Sequence, residues 1–275
     1  MDKKIVVITG ASDGIGAEAA RQLKARGAEV VLVGRSAAKT KALAVELKAN
    51  YYLADFSKLS DVRQLAKDLL KDYKRIDVLA NNAGGIYGQR LLTEDGHEIT
   101  FQVNHLAPFL LTTMLMELLI KSKATIINTS SIGNKILSKF DINDLDANKN
   151  YSSETSYGNA KLANILFTRE LDKRYQGKGI SAVAFHPGTV ATNFANQSDS
   201  LPIRLLYRSP LRRLLLISPA KGAETLVWLA TSKPGIDWQS GAYYFKKKLS
   251  NKVNPIAYDT KIAESLWNQS VEMTS

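Results

Sequence analysis

The sequence contains no cysteine among its 275 residues, and this absence excludes disulfides, thiol nucleophiles and cysteine-based metal sites. It also lacks any run of about 18 or more uncharged apolar residues, the length that a membrane-spanning helix requires. The first residues, Met1-Asp2-Lys3-Lys4, lead directly into the short apolar run Ile5 to Ile8, which does not resemble a signal peptide. We therefore predict a soluble, cytoplasmic protein, and we expect no metal site.

The charge balance is strongly basic, with a formal net charge of +11. Such a balance is compatible with a nucleic-acid partner, an anionic membrane surface or phosphorylated ligands. The basic residues are scattered, with two local clusters: Arg204, Arg208, Arg212 and Arg213, and Lys246 to Lys248. Neither cluster alternates with aromatic side chains, as surfaces that bind single-stranded nucleic acids do. We therefore expect no nucleic-acid partner.

Short runs rich in Val and Ile alternate with longer stretches of helical apolar spacing, the pattern of βα units around a parallel sheet. The predicted strands are Lys4 to Thr9, Glu29 to Val33, Asn50 to Ala54, Val78 to Asn81, Thr125 to Thr129, Ser181 to Phe185 and Ala242 to Phe245. The predicted helices include Ala17 to Arg26, Leu59 to Tyr73, Val103 to Leu119, Tyr157 to Tyr175 and Ala220 to Ala230. This order predicts an α/β fold. We expect one doubly wound Rossmann-type domain over residues 1–275, with a central parallel sheet of about seven strands and helices on both faces.

Two stretches interrupt this alternation. Asp141 to Ser156 is polar and is predicted to be a loop. The connection Asn193 to Pro219 mixes polar residues with leucines, and a long connection of this type is often a substrate lid. Its leucines and arginines also fit a dimer surface or an interfacial membrane helix. Because Pro202 and Pro210 oppose one long helix, we favour a lid over membrane contact.

A glycine-rich turn follows the first predicted strand and leads into a helix. The turn runs from Thr9 to Gly16, and its candidate cofactor contacts are Gly10, Ser12, Asp13, Gly14, Ile15 and Gly16. Glycines in this context let the backbone approach a pyrophosphate on the helix N-terminus. The alternative is a turn needed only to pack the helix on the strand. We favour dinucleotide binding.

The residue after the second strand distinguishes the two nicotinamide cofactors. Arg35 is placed to pair with a 2′-phosphate, with Ser36 and Lys39 nearby. An acidic residue there would repel that phosphate, so NADP(H) is favoured over NAD(H), although an exposed turn arginine is the alternative. Further cofactor contacts are expected after the next two strands. They are Asp55, which would accept from the adenine amino group, Phe56, and Asn82, Ala83 and Gly84 beside the ribose.

Tyr157 and Lys161 stand four residues apart in a segment of helical periodicity. A phenol has a pKa of about 10, so it carries protons poorly at neutral pH unless a cation favours its ionised form. An ammonium group one helical turn away supplies such a cation. Taken alone, such a pair is far more often two side chains on a solvated helix face than a catalytic pair.

The segments in this order resemble the short-chain dehydrogenase/reductase family over essentially the whole chain. The motifs that carry the resemblance are Thr9-Gly10-x3-Gly14-x-Gly16, Asn81-Asn82-Ala83-Gly84, Asn104, Ser130-Ser131, Tyr157-x3-Lys161 and Pro187-Gly188. Five segments look most like its retinol dehydrogenase and protochlorophyllide reductase branch: Asp95-Gly96-His97-Glu98, Val103-Asn104-His105-Leu106, Lys161-Leu162-Ala163-Asn164, His186-Pro187-Gly188 and Leu266-Trp267.

The resemblance implies a catalytic role for four residues. Ser131 would orient the substrate carbonyl, Tyr157 would be the acid or base, Lys161 its activator and ribose clamp, and Asn104 the anchor of a water relay. Because successive strand residues point to opposite faces, Ser130 and Ser131 cannot both face the substrate if the strand stays regular. The family pattern selects Ser131.

The segment after the sixth strand resembles the one that lies against the nicotinamide. The expected cofactor contacts in this segment are Pro187, Gly188, Val190 and Thr192. Tyr157 and Lys161, in the preceding helix, are also expected to contact the cofactor. His186 precedes this turn, but a lone histidine before Pro-Gly is more often structural. We do not expect it to act as the base.

These patterns predict an NADP(H)-dependent oxidoreductase that interconverts an alcohol with a ketone or aldehyde. Apolar candidate segments for substrate contact, Gly85 to Arg90, Ile132 to Leu137 and Asn193 to Ile217, suggest a hydrophobic carbonyl compound. The alternative is a catalytically idle NADP(H) sensor or scaffold on the same fold. A homodimer or homotetramer is compatible with the sequence.

Overall fold

The computed structural model describes residues 3–190 and 216–275 as an α/β domain built on an eight-stranded sheet. The strands are β1 Ile5–Thr9, β2 Glu29–Gly34, β3 Asn50–Leu53, β4 Val78–Asn81, β5 Thr125–Thr129, β6 Ser181–His186, β7 Tyr243–Phe245 and β8 Lys248–Leu249. Their order across the sheet is β3-β2-β1-β4-β5-β6-β7-β8. The first seven strands pair in parallel, and only β8 runs antiparallel, along β7. The doubly wound parallel sheet is therefore confirmed.

Helices cover both faces of the sheet. They are α1 Gly14–Ala25, α2 Ala37–Leu47, α3 Leu59–Asp72, α4 Ile99–Phe101, α5 Ala107–Met114, α6 Met116–Lys121, α7 Gly133–Ile136, α8 Ser153–Tyr175, α9 Pro219–Thr231 and α10 Thr260–Met273. A π-helical segment, Gln102–Leu106, joins α4 to α5. The apolar sides of α1, α2 and α9 pack on one face of the sheet. Those of α3, α5 and α8 pack on the other.

Chain order reverses between β1 and β4, since β2 lies on one side of β1 and β4 on the other. In an open parallel sheet, this reversal leaves a crevice outside the carboxyl ends of the strands, where ligands bind. The glycine turn after β1 and the Asn81 to Gly84 turn after β4 both lie at that edge.

The structure corrects three expectations about individual elements. The predicted loop Asp141 to Ser156 ends earlier, because Ser152 caps α8 by accepting from the Thr155 N–H at 3.2 Å. The predicted helix Val103 to Leu119 begins at Ile99 and is divided by the π-helical segment and at Leu115. Strand β8 is additional to the predicted set.

Two expectations fall largely on residues that the structure does not describe. The predicted lid around 193–219 is described only from residue 216 onward, and Thr192 lies outside the described ranges.

Within 3–190 and 216–275, no helix is long and apolar enough to span a bilayer. In the same ranges no group of three or more His, Asp or Glu side chains is arranged to hold a metal ion.

Candidate active site

The turn after β1 depends on glycine at three positions. Gly10 and Gly14 have positive φ values of 66° and 55°, which other residues rarely adopt. A Cβ on Gly16 would collide with the Gly10 carbonyl oxygen. Asp13 caps α1, because its carboxylate accepts from the Gly14 N–H at 2.7 Å. The turn thus brings bare backbone to the α1 N-terminus, as pyrophosphate binding requires.

The β1 and β4 turns are locked together through Thr9. Its hydroxyl oxygen accepts from the N–H groups of Asn82 and Ala83, each at 3.0 Å. The Asn82 side-chain amide donates to the Thr9 carbonyl at 3.0 Å. A Cβ on Gly10 would lie 2.8 Å from the Ala83 Cα. Asn82 and Ala83 therefore shape the glycine turn, and Thr9 is a supporting residue that the sequence analysis did not single out.

Two cations border this edge at the end of β2. Arg35 is exposed and lies 3.9 Å from an Asp55 oxygen. Lys39, in the first turn of α2, reaches back to Asp13 with 2.6 Å between its ammonium nitrogen and the carboxylate. Lys39 therefore brings an ammonium group beside the glycine turn. The charged residue within the turn is Asp13. Ser12, in the glycine turn, packs against the end of β2. Its Cβ lies 3.0 Å from the position that a Cβ on Gly34 would occupy.

The two cofactor contacts predicted after β3 differ in their surroundings. Asp55 accepts from the backbone N–H and hydroxyl of Ser57, at 3.0 and 2.8 Å. Phe56 is buried in the hydrophobic core, so its ring is committed to packing. Only the backbone of Phe56 remains for a ligand.

Tyr157 and Lys161 lie in α8 and are both buried, with 7% and 3% relative exposure. The Lys161 ammonium nitrogen is 5.5 Å from the centroid of the Tyr157 ring. It donates to the Thr129 carbonyl at 3.2 Å, at the end of β5. Burial lowers the pKa of Lys161 to about 7, because a low-dielectric environment disfavours the ammonium form. The pair is a buried unit rather than part of a solvated helix face.

Asn104 sits in the π-helical segment and is fully buried. Its amide nitrogen donates to the carbonyls of Gly85 and Thr100, at 2.8 and 2.7 Å, and its oxygen accepts from the Gly85 N–H at 3.2 Å. A Cβ on Gly84 would collide with the Asn104 side-chain oxygen and lie 3.1 Å from the Lys161 ammonium nitrogen. Asn104 and Lys161 therefore converge on one glycine.

The two serines after β5 have different surroundings. Strand β5 ends at Thr129, so the alternation expected for a regular strand does not extend to them. The Ser130 hydroxyl is buried and donates to the Lys161 carbonyl at 2.7 Å. The Ser131 hydroxyl oxygen accepts from the Gly133 N–H at 3.2 Å and is less buried. A Cβ on Gly133 would lie 3.2 Å from the Tyr157 ring, which places Ser131 and Tyr157 on neighbouring segments.

Asn134 supports this corner, although the sequence analysis did not identify it. Its amide nitrogen donates to the Ser131 carbonyl at 2.5 Å and lies 3.4 Å from the Tyr243 hydroxyl. Its oxygen accepts from the Asn254 N–H at 3.0 Å. The sequence gives no local sign of this role, because the three partners of Asn134 come together only in the tertiary fold.

The segment after β6 reaches the same edge of the sheet. His186 stacks on Phe245 with 4.8 Å between ring centroids, and burial lowers its pKa to about 4. Its ring nitrogen Nδ1 accepts from the Gly188 N–H at 3.3 Å. Gly188 has a φ of 101°, and Val190 is buried beside Ile217. Pro187 lies partly buried in this turn.

Part of the predicted substrate segment has a structural role instead. Arg90 donates to the carbonyls of Asp146 and Ala147 and to the Asn148 side chain. It therefore fixes the loop before α8. Leu137 lies closer to the chemistry: its Cδ1 atom is 3.4 Å from where a Cβ on Gly133 would stand, next to Tyr157.

The chain is similar in sequence and in fold to several known proteins. A family described as short chain dehydrogenase matches residues 4–201. Retinol dehydrogenase 12 of Mus musculus is 39% identical over 278 residues, covering 98% of this chain and 86% of that protein. A proposed daunorubicin C-13 ketoreductase of Streptomyces sp. (strain C5) is 36% identical over 274 residues, covering 97% and 91%. The crystal structure of a proposed short chain dehydrogenase from Shigella flexneri 2a strain 301, complexed with NADP, has a TM-score of 0.64 at 25% identity. It covers 84% of this chain and 92% of that one.

Proposed function

Because the chain belongs to the short-chain dehydrogenase family and is therefore an oxidoreductase acting on CH–OH or C=O groups, we propose a finer assignment. It is an NADP(H)-dependent enzyme that interconverts a hydrophobic alcohol with its ketone or aldehyde, with Tyr157 as acid or base. The observation that carries this proposal is the convergence of Lys161 and Asn104 on Gly84, with the Tyr157 ring 5.5 Å from the Lys161 ammonium nitrogen.

The residues at the sheet edge fit NADP(H). The glycine turn requires Gly10 and Gly16, because a Cβ at Gly10 would collide with the Ala83 backbone and one at Gly16 with the Gly10 carbonyl. Arg35 and Lys39 place two cations at the end of β2 and beside the turn, where a 2′-phosphate would lie. The bound cofactor would supply or accept the hydride.

Protein groups then stabilise the charge that develops on the substrate oxygen. Reduction of a carbonyl builds negative charge there, so donors aimed at that oxygen act mainly in the transition state. Ser131 and Tyr157 supply two hydroxyls, and Tyr157 delivers the proton. Lys161 faces the Tyr157 ring and the Thr129 carbonyl from a buried position, and its ammonium form, present below its lowered pKa of about 7, interacts more strongly there than it would in water.

Apolar side chains support a hydrophobic substrate. Leu137 packs beside Gly133 near Tyr157, and Ile136 next to it is 66% exposed at the surface. The two relatives described above are named as a retinol dehydrogenase and a daunorubicin C-13 ketoreductase, and both names refer to reactions that interconvert an alcohol and a carbonyl group. Assay of a panel of aldehydes, ketones and alcohols with NADP(H) and NAD(H), followed by cofactor absorbance, tests the assignment.

Tyr157→Phe is expected to lower kcat by about a thousandfold, because it removes the proton donor while keeping the ring. The dissociation constant for NADPH, measured by fluorescence titration, should stay within about threefold of the parent value, since the glycine turn and Arg35 are unchanged. Tyr175→Phe, at the far end of the same helix, is the matched control and should keep full activity.

A Tyr157→Phe enzyme with most of its turnover would remove Tyr157 from this role. Tight NADPH binding without turnover of any compound in the panel would instead favour an idle NADP(H) sensor.

A further inference from the structure

Glu98 is a fully buried carboxylate beside the candidate active site. One oxygen accepts from the Thr100 N–H at 2.9 Å. The other accepts from the Phe101 N–H at 2.9 Å and from the Ser156 hydroxyl at 2.5 Å. Among residues 3–190 and 216–275, no Lys, Arg or His forms an ion pair with it. A carboxylate without a counter-ion is costly to bury, so these hydrogen bonds stabilise it.

On one side, Glu98 holds the element that carries Asn104. It is the N-cap of α4, which continues through the π-helical segment. Thr100, whose N–H binds Glu98, also accepts the Asn104 side-chain amide at its carbonyl, at 2.7 Å. A shift of the Glu98 carboxylate would therefore move the turn that orients Asn104.

On the other side, Glu98 holds the residue directly before Tyr157. Ser156 is 4% exposed and lies in the first turns of α8. Its hydroxyl donates to the same Glu98 oxygen that caps α4. A single carboxylate thus connects two elements that are 58 positions apart in the chain.

We propose that Glu98 is a positioning residue that acts through Ser156 to fix Tyr157 relative to Asn104. The expected effect of Glu98 on turnover rests on the proposed function. The positioning of Tyr157 by Glu98 does not, because the three hydrogen bonds of Glu98 are the same whatever the substrate is. Glu98 itself faces backbone N–H groups and a hydroxyl, so it transfers no proton to substrate.

Ser156→Ala is the sharpest test, because it breaks the connection and leaves the α4 cap intact. We expect kcat to fall about three- to tenfold, while the KM values for cofactor and substrate change less than about twofold. Ser153→Ala is the matched control. Ser153 is also buried in the first turn of α8, but within residues 3–190 and 216–275 its hydroxyl donates to the adjacent Glu154 carboxylate and not to α4.

Glu98→Gln should lower kcat further, because an amide nitrogen accepts no hydrogen bond and one side of the connection must lose its acceptor: either the Thr100 N–H, or the Phe101 N–H together with the Ser156 hydroxyl. If Glu98 acts through Ser156, the loss in the double variant should be smaller than the product of the two single losses. Asp259→Asn is the control for loss of a carboxylate cap, since Asp259 accepts from the Lys261 and Ile262 N–H groups of α10. Fully multiplicative losses in the double variant would overturn the coupling.

A measurement without turnover separates this inference from the proposed function. In protein labelled with ¹³C at tyrosine Cζ, the Tyr157 signal, assigned with Tyr157→Phe, should be single and sharp in the parent and in Ser153→Ala. It should broaden or split in Ser156→Ala, because the ring is no longer held in one position. An unchanged signal together with unchanged kcat would overturn the role of Glu98. Failure of every substrate in the panel would overturn only the proposed function.

Discussion

Lys39 and Arg35 show how single residues set the charge of the cofactor edge. The glycine turn carries an aspartate, yet the 2.6 Å ion pair between Asp13 and Lys39 brings an ammonium group to the same place. Both residues are about half exposed, so the pair itself contributes little to stability. Its effect is to offset the negative charge of Asp13, which leaves Arg35 as the residue expected to attract a 2′-phosphate.

Arg35→Ala is expected to raise the KM for NADPH by about 10- to 100-fold, because a charge-assisted bond to phosphate contributes roughly 1.5–3 kcal/mol. The KM for NADH should change less than about threefold, since NADH has no 2′-phosphate. Steady-state kinetics with both cofactors measures the ratio. Arg75→Ala, at an arginine that pairs with Asp77 before β4, is the control. Equal increases for both cofactors would show that Arg35 does not read the phosphate.

Among the helices, α8 lies unusually close to the segment before it. A Cβ on Gly158 would stand 2.6 Å from the Ser138 nitrogen and 2.7 Å from the Leu137 carbonyl carbon, both backbone atoms that cannot rotate away. Asn159 fixes the same contact by accepting from the Ser138 hydroxyl and the Lys139 N–H, each at 2.9 Å. The helix is therefore seated where Tyr157 faces Gly133.

Gly158→Ala should push α8 away from residues 137–138, lowering the free energy of unfolding by about 1–3 kcal/mol and reducing kcat. Thermal unfolding and steady-state kinetics measure the two effects. Gly177→Ala is the matched control, because a Cβ there meets nothing within 4 Å and should leave both quantities unchanged. A fully stable and active Gly158→Ala enzyme would contradict this account of the packing.

Elements with a regular pattern could be predicted from the sequence, and those that depend on distant partners could not. Val78–Asn81 and Thr125–Thr129 match their predicted bounds because both are short, fully buried parallel strands with an apolar centre. Strand β8 has only two residues and follows Lys246 and Lys247, both with positive φ, so its sequence lacks a strand pattern. Helix α10 is not among the predicted helices named above, and its Trp267 packs against partners far away in the chain.

The same distinction holds for the candidate site. Gly10, Arg35 and Lys161 belong to local motifs, and the fold brings all three to the carboxyl edge of the sheet. The bond between Glu98 and Ser156 joins two polar residues with no local relation, so no spacing rule could indicate it.

For the whole molecule, buried histidines should determine acid sensitivity. Burial lowers the pKa of His105 and of His186 to about 4, from 6.5. Both are neutral in the folded state at pH 7, while the unfolded chain takes up their protons first as pH falls. Stability is therefore present above pH 6.5 and is lost progressively toward pH 4. His97 acts in the opposite direction, because Asp146 raises its pKa and its stabilisation is lost as pH rises.

His105→Gln should reduce the loss of unfolding free energy between pH 7 and pH 4.5 by on the order of 1–3 kcal/mol. Its stability at pH 7 should be lower, because it loses ring contacts with Phe101, Phe109 and Phe167. Urea unfolding at pH 7, 5.5 and 4.5 measures the slope. His97→Gln should make the acid loss steeper, and equal slopes in the parent and His105→Gln would contradict the assignment.

The packing of Trp267 also affects the order in which the chain can complete its core. Its ring lies 5.0 Å from Phe109 and 5.8 Å from Phe167. Phe167 leaves the ribosome 100 residues before Trp267, which at about 5–20 residues per second is a delay of about 5–20 seconds. During synthesis, the apolar surface on α5 and α8 that Trp267 covers therefore stays exposed for longer than most folding steps take.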